Sequence, residues 1–124
     1  MRISLLIAAG LATLLAAAHS YLGERYILIR LFRRDNLPKV LGGVEFTKQT
    51  LRFAWHITSI AWLGLASLIV ILASSPDATQ VTQARIIAGV FGLSGMAALL
   101  GSRGRHLSWV VSFAIAALVW FGYR

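Results

Sequence analysis

Four stretches of the chain are almost wholly apolar, and short polar segments separate them. They cover residues 3–22, 53–73, 84–101 and 107–123. A helix needs roughly 20 residues to cross the hydrocarbon core of a bilayer, so each stretch is near the length of one crossing. The pattern predicts an all-α membrane protein, a four-transmembrane-helix antiparallel bundle forming a single domain over 1–124. Ser75-Pro76-Asp77 is a start signal for the third helix, with Ser75 as N-cap and Pro76 in the first turn. The first stretch has features of a secretory signal, namely Met1-Arg2 ahead of an apolar run that ends in Ala16-Ala17-Ala18. A strongly basic segment follows it, which resists translocation, so it reads as a span.

Composition supports the bilayer as solvent. Apolar residues make up 58% of the chain and charged ones 13%, where a soluble domain carries about 25% charged residues. Mean hydropathy is +0.76. Four crossings leave little chain for a catalytic domain. There is no Cys, so thiolate metal sites and Cys nucleophiles are excluded. The four acids are Glu24, Asp35, Glu45 and Asp77, and none lies in mid-span. That disfavours the buried carboxylate of many proton-coupled carriers. No phosphate-binding glycine loop, GxSxG or HExxH occurs. The length and span count resemble those of small multidrug exporters and fluoride channels. The first span lacks the exporters' buried Glu, however, and no fluoride-channel motif is present.

Charge orients the predicted bundle. The loop after the first span carries Arg25, Arg30, Arg33, Arg34, Lys39, Lys48 and Arg52, and the loop before the fourth carries Arg103 and Arg105. The opposite side holds only Arg2, Arg85 and Arg124. The positive-inside rule puts the basic loops in the cytoplasm of a bacterial cell and both termini on the non-cytoplasmic side. Trp120 and Tyr123 then sit at the outer interface and Trp109 at the inner one. In the basic loop 23–52, residues 26–34 mix apolar positions with arginines. They either continue the first helix or lie in the headgroup layer. Asn36-Leu37-Pro38 breaks the segment and Gly42-Gly43 is a second hinge. The basic residues favour anionic lipids, and fixing topology explains most of them. Nucleic acid is not an expected partner, because the loops are too short for a reading module.

The candidate chemistry lies at the basic end. His19 ends span one, His56 lies one turn inside Arg52, and His106 opens span four. Ala8, Ala12, Ala16 and His19 share a helical face, and small residues mark a packed face, so His19 points into the bundle. Glu45, Gln49, Arg52, His56 and Ser59 stay within about an 80° arc of one helix. Lipid does not tolerate such a stripe, so it faces protein or water. Ala88, Gly92 and Gly95 are a close-packing face on span three. Neutral imidazole is the commonest metal ligand. His19, His56 and His106, with Glu24, are therefore candidate ligands for a transition metal (Zn, Cu or Fe), with Glu45, Gln49 and Arg52 orienting them. Two of the imidazoles on facing helices suit a haem iron equally. A third version is a proton relay through the same groups. On a continuous helix His19 and Glu24 lie about 140° apart, so Glu24 joins only if the helix bends near Gly23. Trp55 and Trp62 read as packing or belt residues.

The leading expectation is thus a small inner-membrane protein with a His site for metal handling or redox at its cytoplasmic face. An oligomeric channel or transporter is the first alternative, assembled as a homo-oligomer through the small-residue faces. A non-catalytic accessory subunit of a larger membrane complex is the second. Enzymatic activity is left open, because no nucleophile or paired carboxylates converge in the sequence.

Overall fold

The computed structural model describes residues 2–74, 77 and 80–123. Among them the chain is all-helical, and one isolated bridge between Val40 and Gly43 is the sole β-type pairing. Four helices form in chain order. Helix α1 is a rod of 29 residues, Ile3–Leu31. It is α-helical over Ile3–Leu22, widens to a π-helix at Gly23–Leu28 and closes with a short α turn at Ile29–Leu31. Helix α2 spans Val44–Ser74, α3 spans Val81–Ser102 and α4 spans Ser108–Gly122.

Three of these helices are long and apolar enough to cross a membrane: Ile3–Leu31, Val44–Ser74 and Val81–Leu100. The fourth apolar run forms a helix of 15 residues. At 1.5 Å per residue that is about 22 Å, short of the ~30 Å core. The 31 residues of α2 reach about 46 Å. Its first turns, with Glu45, Lys48 and Arg52, therefore extend beyond the apolar stretch.

The linker after α1 is shorter than the apolar pattern implies. Residues 26–31 continue α1 rather than forming a separate element, and α2 starts nine residues before its apolar run. Helix α1 ends where Phe32 caps it in the right-handed region. The turn back uses Leu41, Gly42 and Gly43, all at positive φ. Glycine reaches that region without a Cβ penalty, which is why a Gly pair sits at the hinge. Thr47 Oγ1 then donates to the Pro38 carbonyl oxygen at 2.6 Å, fastening the linker to the first turn of α2. Ser75 and Pro76, expected to start the third helix, lie outside the described residues. Described α3 opens at Val81 behind Gln80.

Helix α1 packs along α2 and α4, and α4 packs along α3, while α2 and α3 barely meet. The Arg2 N–H donates to the Ala73 carbonyl oxygen, so the start of α1 meets the end of α2. The end of α4 joins them, because Gly122 sits against Ser4 and Leu5. The apolar core lies in this half of the molecule. Leu5, Ala8 and Ala12 of α1, Ile69 and Ala73 of α2, Phe91 of α3 and Ile115 and Val119 of α4 are all buried there. Small residues let the helix backbones approach, which suits a setting where lipid removes most of the hydrophobic drive between helices. Gly95 does this between α3 and α4, lying against the Phe113 ring. The opposite half of the α1–α2 seam is held by polar groups.

Candidate functional site

At that polar end α1 and α2 face each other through two short sets of polar residues. Helix α1 offers Ser20 and Glu24, four residues apart. Helix α2 offers Arg52, His56 and Ser59, spaced four and three apart. Residues at these separations share a helix face, so the two sets can interlock.

They form one continuous chain. Ser59 Oγ and Ser20 Oγ are 2.8 Å apart, and Ser20 Oγ is 2.9 Å from His56 Nδ1. His56 Nε2 lies 3.1 Å from Glu24 Oε2. Arg52 Nε donates to Glu24 Oε1 at 3.0 Å, and its Nη2 reaches the same oxygen at 2.8 Å. Ser59 is the buried end of the chain, and the groups beyond Ser20 are partly exposed. Ser59 is 5% exposed, whereas the Glu24 and Arg52 side chains are 28% and 47% exposed. Glu24 lies beyond the apolar run 3–22. The Arg52 donors, helped by His56, hold its carboxyl below the ordinary carboxylate range. Arg52 also lies over the Phe32 ring, 5.0 Å from its centroid, which fixes the guanidinium from the far side.

The chain admits two proton arrangements. In one, His56 Nε2–H donates to Glu24 and Nδ1 accepts from Ser20. In the other, both ring nitrogens carry protons and Nδ1–H donates to Ser20, whose hydroxyl turns to Ser59. Hydroxyls serve equally as donor and acceptor, so the links Ser59–Ser20–His56–Glu24 hold in both arrangements.

A second cluster sets the geometry of the first. The His19 ring stacks on the Trp55 indole, centroids 4.8 Å apart and planes 4° from parallel. Trp62 meets the same imidazole edge-on at 5.1 Å. Trp55 Nε1–H donates to the His19 carbonyl oxygen at 3.0 Å. His19 Nε2 in turn lies 3.3 Å from the Trp55 carbonyl oxygen. The indole occupies the space where a side chain at residue 23 would stand, and Gly23 leaves it open. The π-helix begins at that residue. Such widened turns re-phase the residues after them and concentrate at functional sites. Trp55 and Trp62 are thus packing residues, as expected, and what they pack is His19.

The four candidate ligands are distributed unevenly. His56 and Glu24 meet. His19 belongs to the aromatic cluster, and its ring faces Trp55 and Trp62. His106 precedes α4 instead of opening it, because its Nδ1 sits 2.7 Å from Ser108 Oγ at the start of that helix. Among the described residues, no group of three His, Cys, Asp or Glu stands close enough to hold a metal ion. Of the expected orienting groups, Arg52 holds Glu24, while Glu45 and Gln49 lie on the turns of α2 before it.

The anticipated stripe on α2 does face protein at its deep end, through Arg52, His56 and Ser59. Sequence reasoning missed Ser20, which joins His56 to Ser59. The available signal was its spacing of four from Glu24, opposite a His-x-x-Ser pair. Thr13, Ser67 and Ser94 bond the carbonyl four residues back, as expected of hydroxyls in apolar helices. Comparison of the chain with protein-family models, with curated proteins and with solved structures finds no match.

Proposed function

We propose that the chain is a small integral membrane protein of channel or carrier type whose working centre is a proton relay at the basic end of the bundle. The observation that carries this reading is the unbroken chain Ser59–Ser20–His56–Glu24, with links of 2.8, 2.9 and 3.1 Å. An imidazole between a hydroxyl and a carboxylate can take a proton on one nitrogen and release it from the other. His56 lies within the apolar stretch of α2, where an ionisable group is costly to keep and marks an ion or proton path. Arg52 keeps Glu24 ionised as the outer acceptor.

The reading includes a four-span antiparallel bundle in a bacterial cytoplasmic membrane, with both termini on the non-cytoplasmic side. The pairings of Arg2 with Ala73 and of Gly122 with Ser4 support it, since each joins opposite helix ends. The crowding of basic residues beside Glu24 supports the orientation. A locally thinned bilayer accommodates the shorter α4. Beyond Ser59 the seam is apolar and buried, through Ala12, Ala8 and Ile69, so the relay belongs to the basic end of the bundle.

The test is a pH step across vesicles that hold the purified protein and a trapped pH dye. Wild-type vesicles are expected to dissipate the step faster than empty ones. His56→Gln should abolish the difference, and Arg105→Gln should leave it intact. Correctly inserted wild-type protein that holds the step as long as empty vesicles would overturn the proposal.

A further inference from the structure

Helix α1 keeps to α2 past the end of its apolar run, where an ideal helix would turn the same residues away. Ser20, Glu24, Leu28 and Phe32 follow one another at intervals of four. Ser20 and Glu24 bond His56 of α2, Leu28 is buried, and Phe32 lies against the Arg52 guanidinium. At about 100° per residue each interval drifts by about 40°, so Phe32 would stand about 120° from Ser20. One wide turn holds an extra residue, which takes up about 100° of that drift. The π-helical turns at Gly23–Leu28 supply it. The Ile29 N–H reaches back five residues to the Glu24 carbonyl oxygen. The Phe32 N–H returns to a spacing of four, at Leu28.

The widening starts where a side chain of α2 enters the hydrogen-bond ladder of α1. Trp55 Nε1–H donates to the His19 carbonyl oxygen at 3.0 Å. In an undisturbed helix that oxygen serves the N–H four residues on and no other donor. Here the Gly23 N–H is shared between the His19 and Ser20 carbonyl oxygens, and the wide turns follow. A group inserted into the ladder is a recognised cause of such departures from a regular helix. Gly23 admits the indole because it has no Cβ. The clasp is reciprocal, since His19 Nε2 lies 3.3 Å from the Trp55 carbonyl oxygen. His19 and Trp55 directly precede Ser20 and His56, so the clasp also holds the register in which those two side chains meet.

We infer that Trp55 is a positioning residue for the relay: its indole N–H, by taking the His19 carbonyl, widens α1 at Gly23 and so keeps Glu24 and Phe32 on the side of His56 and Arg52. The inference rests on the proton-relay reading for its function, and on the helix geometry for the placement. An indole acting by bulk alone would fill the same space without drawing on the ladder.

The experiment is solid-state NMR of the full chain in lipid bilayers, with Trp55 replaced by benzothienylalanine. That side chain keeps the bicyclic shape and has sulfur in place of the N–H. The same replacement at Trp62, which touches the same imidazole, is the control. With Trp55 replaced, the His19 carbonyl carbon and the Gly23–Leu28 backbone resonances should shift, and the Arg52–Phe32 contact should be lost. The His56 Nε2 resonance should move as it does in Glu24→Gln. The Trp62 replacement should produce none of these changes. Tyr123, at the far end of the bundle, should keep its resonances in both, which checks that the fold is retained. Wild-type Gly23–Leu28 resonances and an intact Arg52–Phe32 contact after replacement of Trp55 overturn the inference, as does an equal change on replacement of Trp62. The vesicle pH step on the same proteins separates this inference from the relay reading. Proton flux should fall with Trp55 replaced and hold with Trp62 replaced. Flux that survives the change at Trp55 overturns its role in the relay. Absence of flux in wild type overturns the relay itself, and the spectra still decide whether the indole N–H places Glu24.

Discussion

Gly23 of α1 lies so close to the Trp55 indole of α2 that a Cβ on it would overlap Nε1 and Cε2 of the ring. That contact sets the distance between the two helices at the level of the relay. It lets Trp55 stack on His19, and it coincides with the start of the π-helical turns that carry Glu24.

Gly23→Ala should therefore push the helices apart at this point. Overpacking of this kind costs about 1–3 kcal/mol. Gly64 of α2 supplies the control, because nothing lies within 4 Å of a Cβ built there. Gly64→Ala should be neutral or stabilising by up to about 1 kcal/mol, through helix propensity alone. Thermal unfolding of both variants in one detergent checks the contrast. Equal effects would mean that the Gly23–Trp55 approach is not a constraint.

The Glu24–Arg52 pair predicts a pH dependence with a definite sign. The Glu24 carboxyl is held below the ordinary carboxylate range, first by its hydrogen bonds from Arg52. A carboxyl depressed in the folded state contributes stability that is fully present above its unfolded value. That contribution is lost as pH falls through the folded value. Melting temperature should hold on descent to about pH 4.5 and then drop, and Glu24→Gln should flatten the drop. Both side chains are partly exposed, so the effect is small and weakens further in high salt.

His19 and His56 should respond differently to the same replacement. The His19 imidazole makes mostly ring contacts, with Trp55 and Trp62. His19→Phe keeps a ring in that space and should cost less than about 1.5 kcal/mol. His56 bonds at both nitrogens, to Ser20 and to Glu24. His56→Phe leaves polar groups on both helices without their partner and should cost about 1–3 kcal/mol. Thermal unfolding of the two variants, read with the vesicle assay, separates the roles. His19→Phe should retain proton flux and His56→Phe should lose it.

Much of the architecture was legible in the apolar runs, because membrane helices announce themselves by length and hydropathy. The packed Ala8, Ala12 and Ala16 face of α1 was legible for the same reason, since small residues at helical spacing bury together. So was the stripe on α2, whose deep members do meet α1. What periodicity could not convey was the change of helix type at Gly23. Measured from His19 on an ideal helix, Glu24 appears to face away. Measured from Ser20 it is one turn along the same face, and His56 bridges the two. Nor does hydropathy reveal that α1 runs on to Leu31 through Arg25 and Arg30, since charges there end an apolar run without ending a helix. His106 illustrates a different limit. Its place before α4 follows from its bond to Ser108, two residues ahead, which competes with helix initiation at His106.

The most direct test of the relay is the nitrogen-15 spectrum of the His56 ring in lipid bilayers, recorded for wild type, Ser20→Ala and Glu24→Gln. If Ser20 and Glu24 bond opposite nitrogens of one imidazole, Ser20→Ala should move the Nδ1 resonance and Glu24→Gln the Nε2 resonance. His19 should stay near its wild-type position in both. A His56 spectrum unchanged in both variants would contradict the relay.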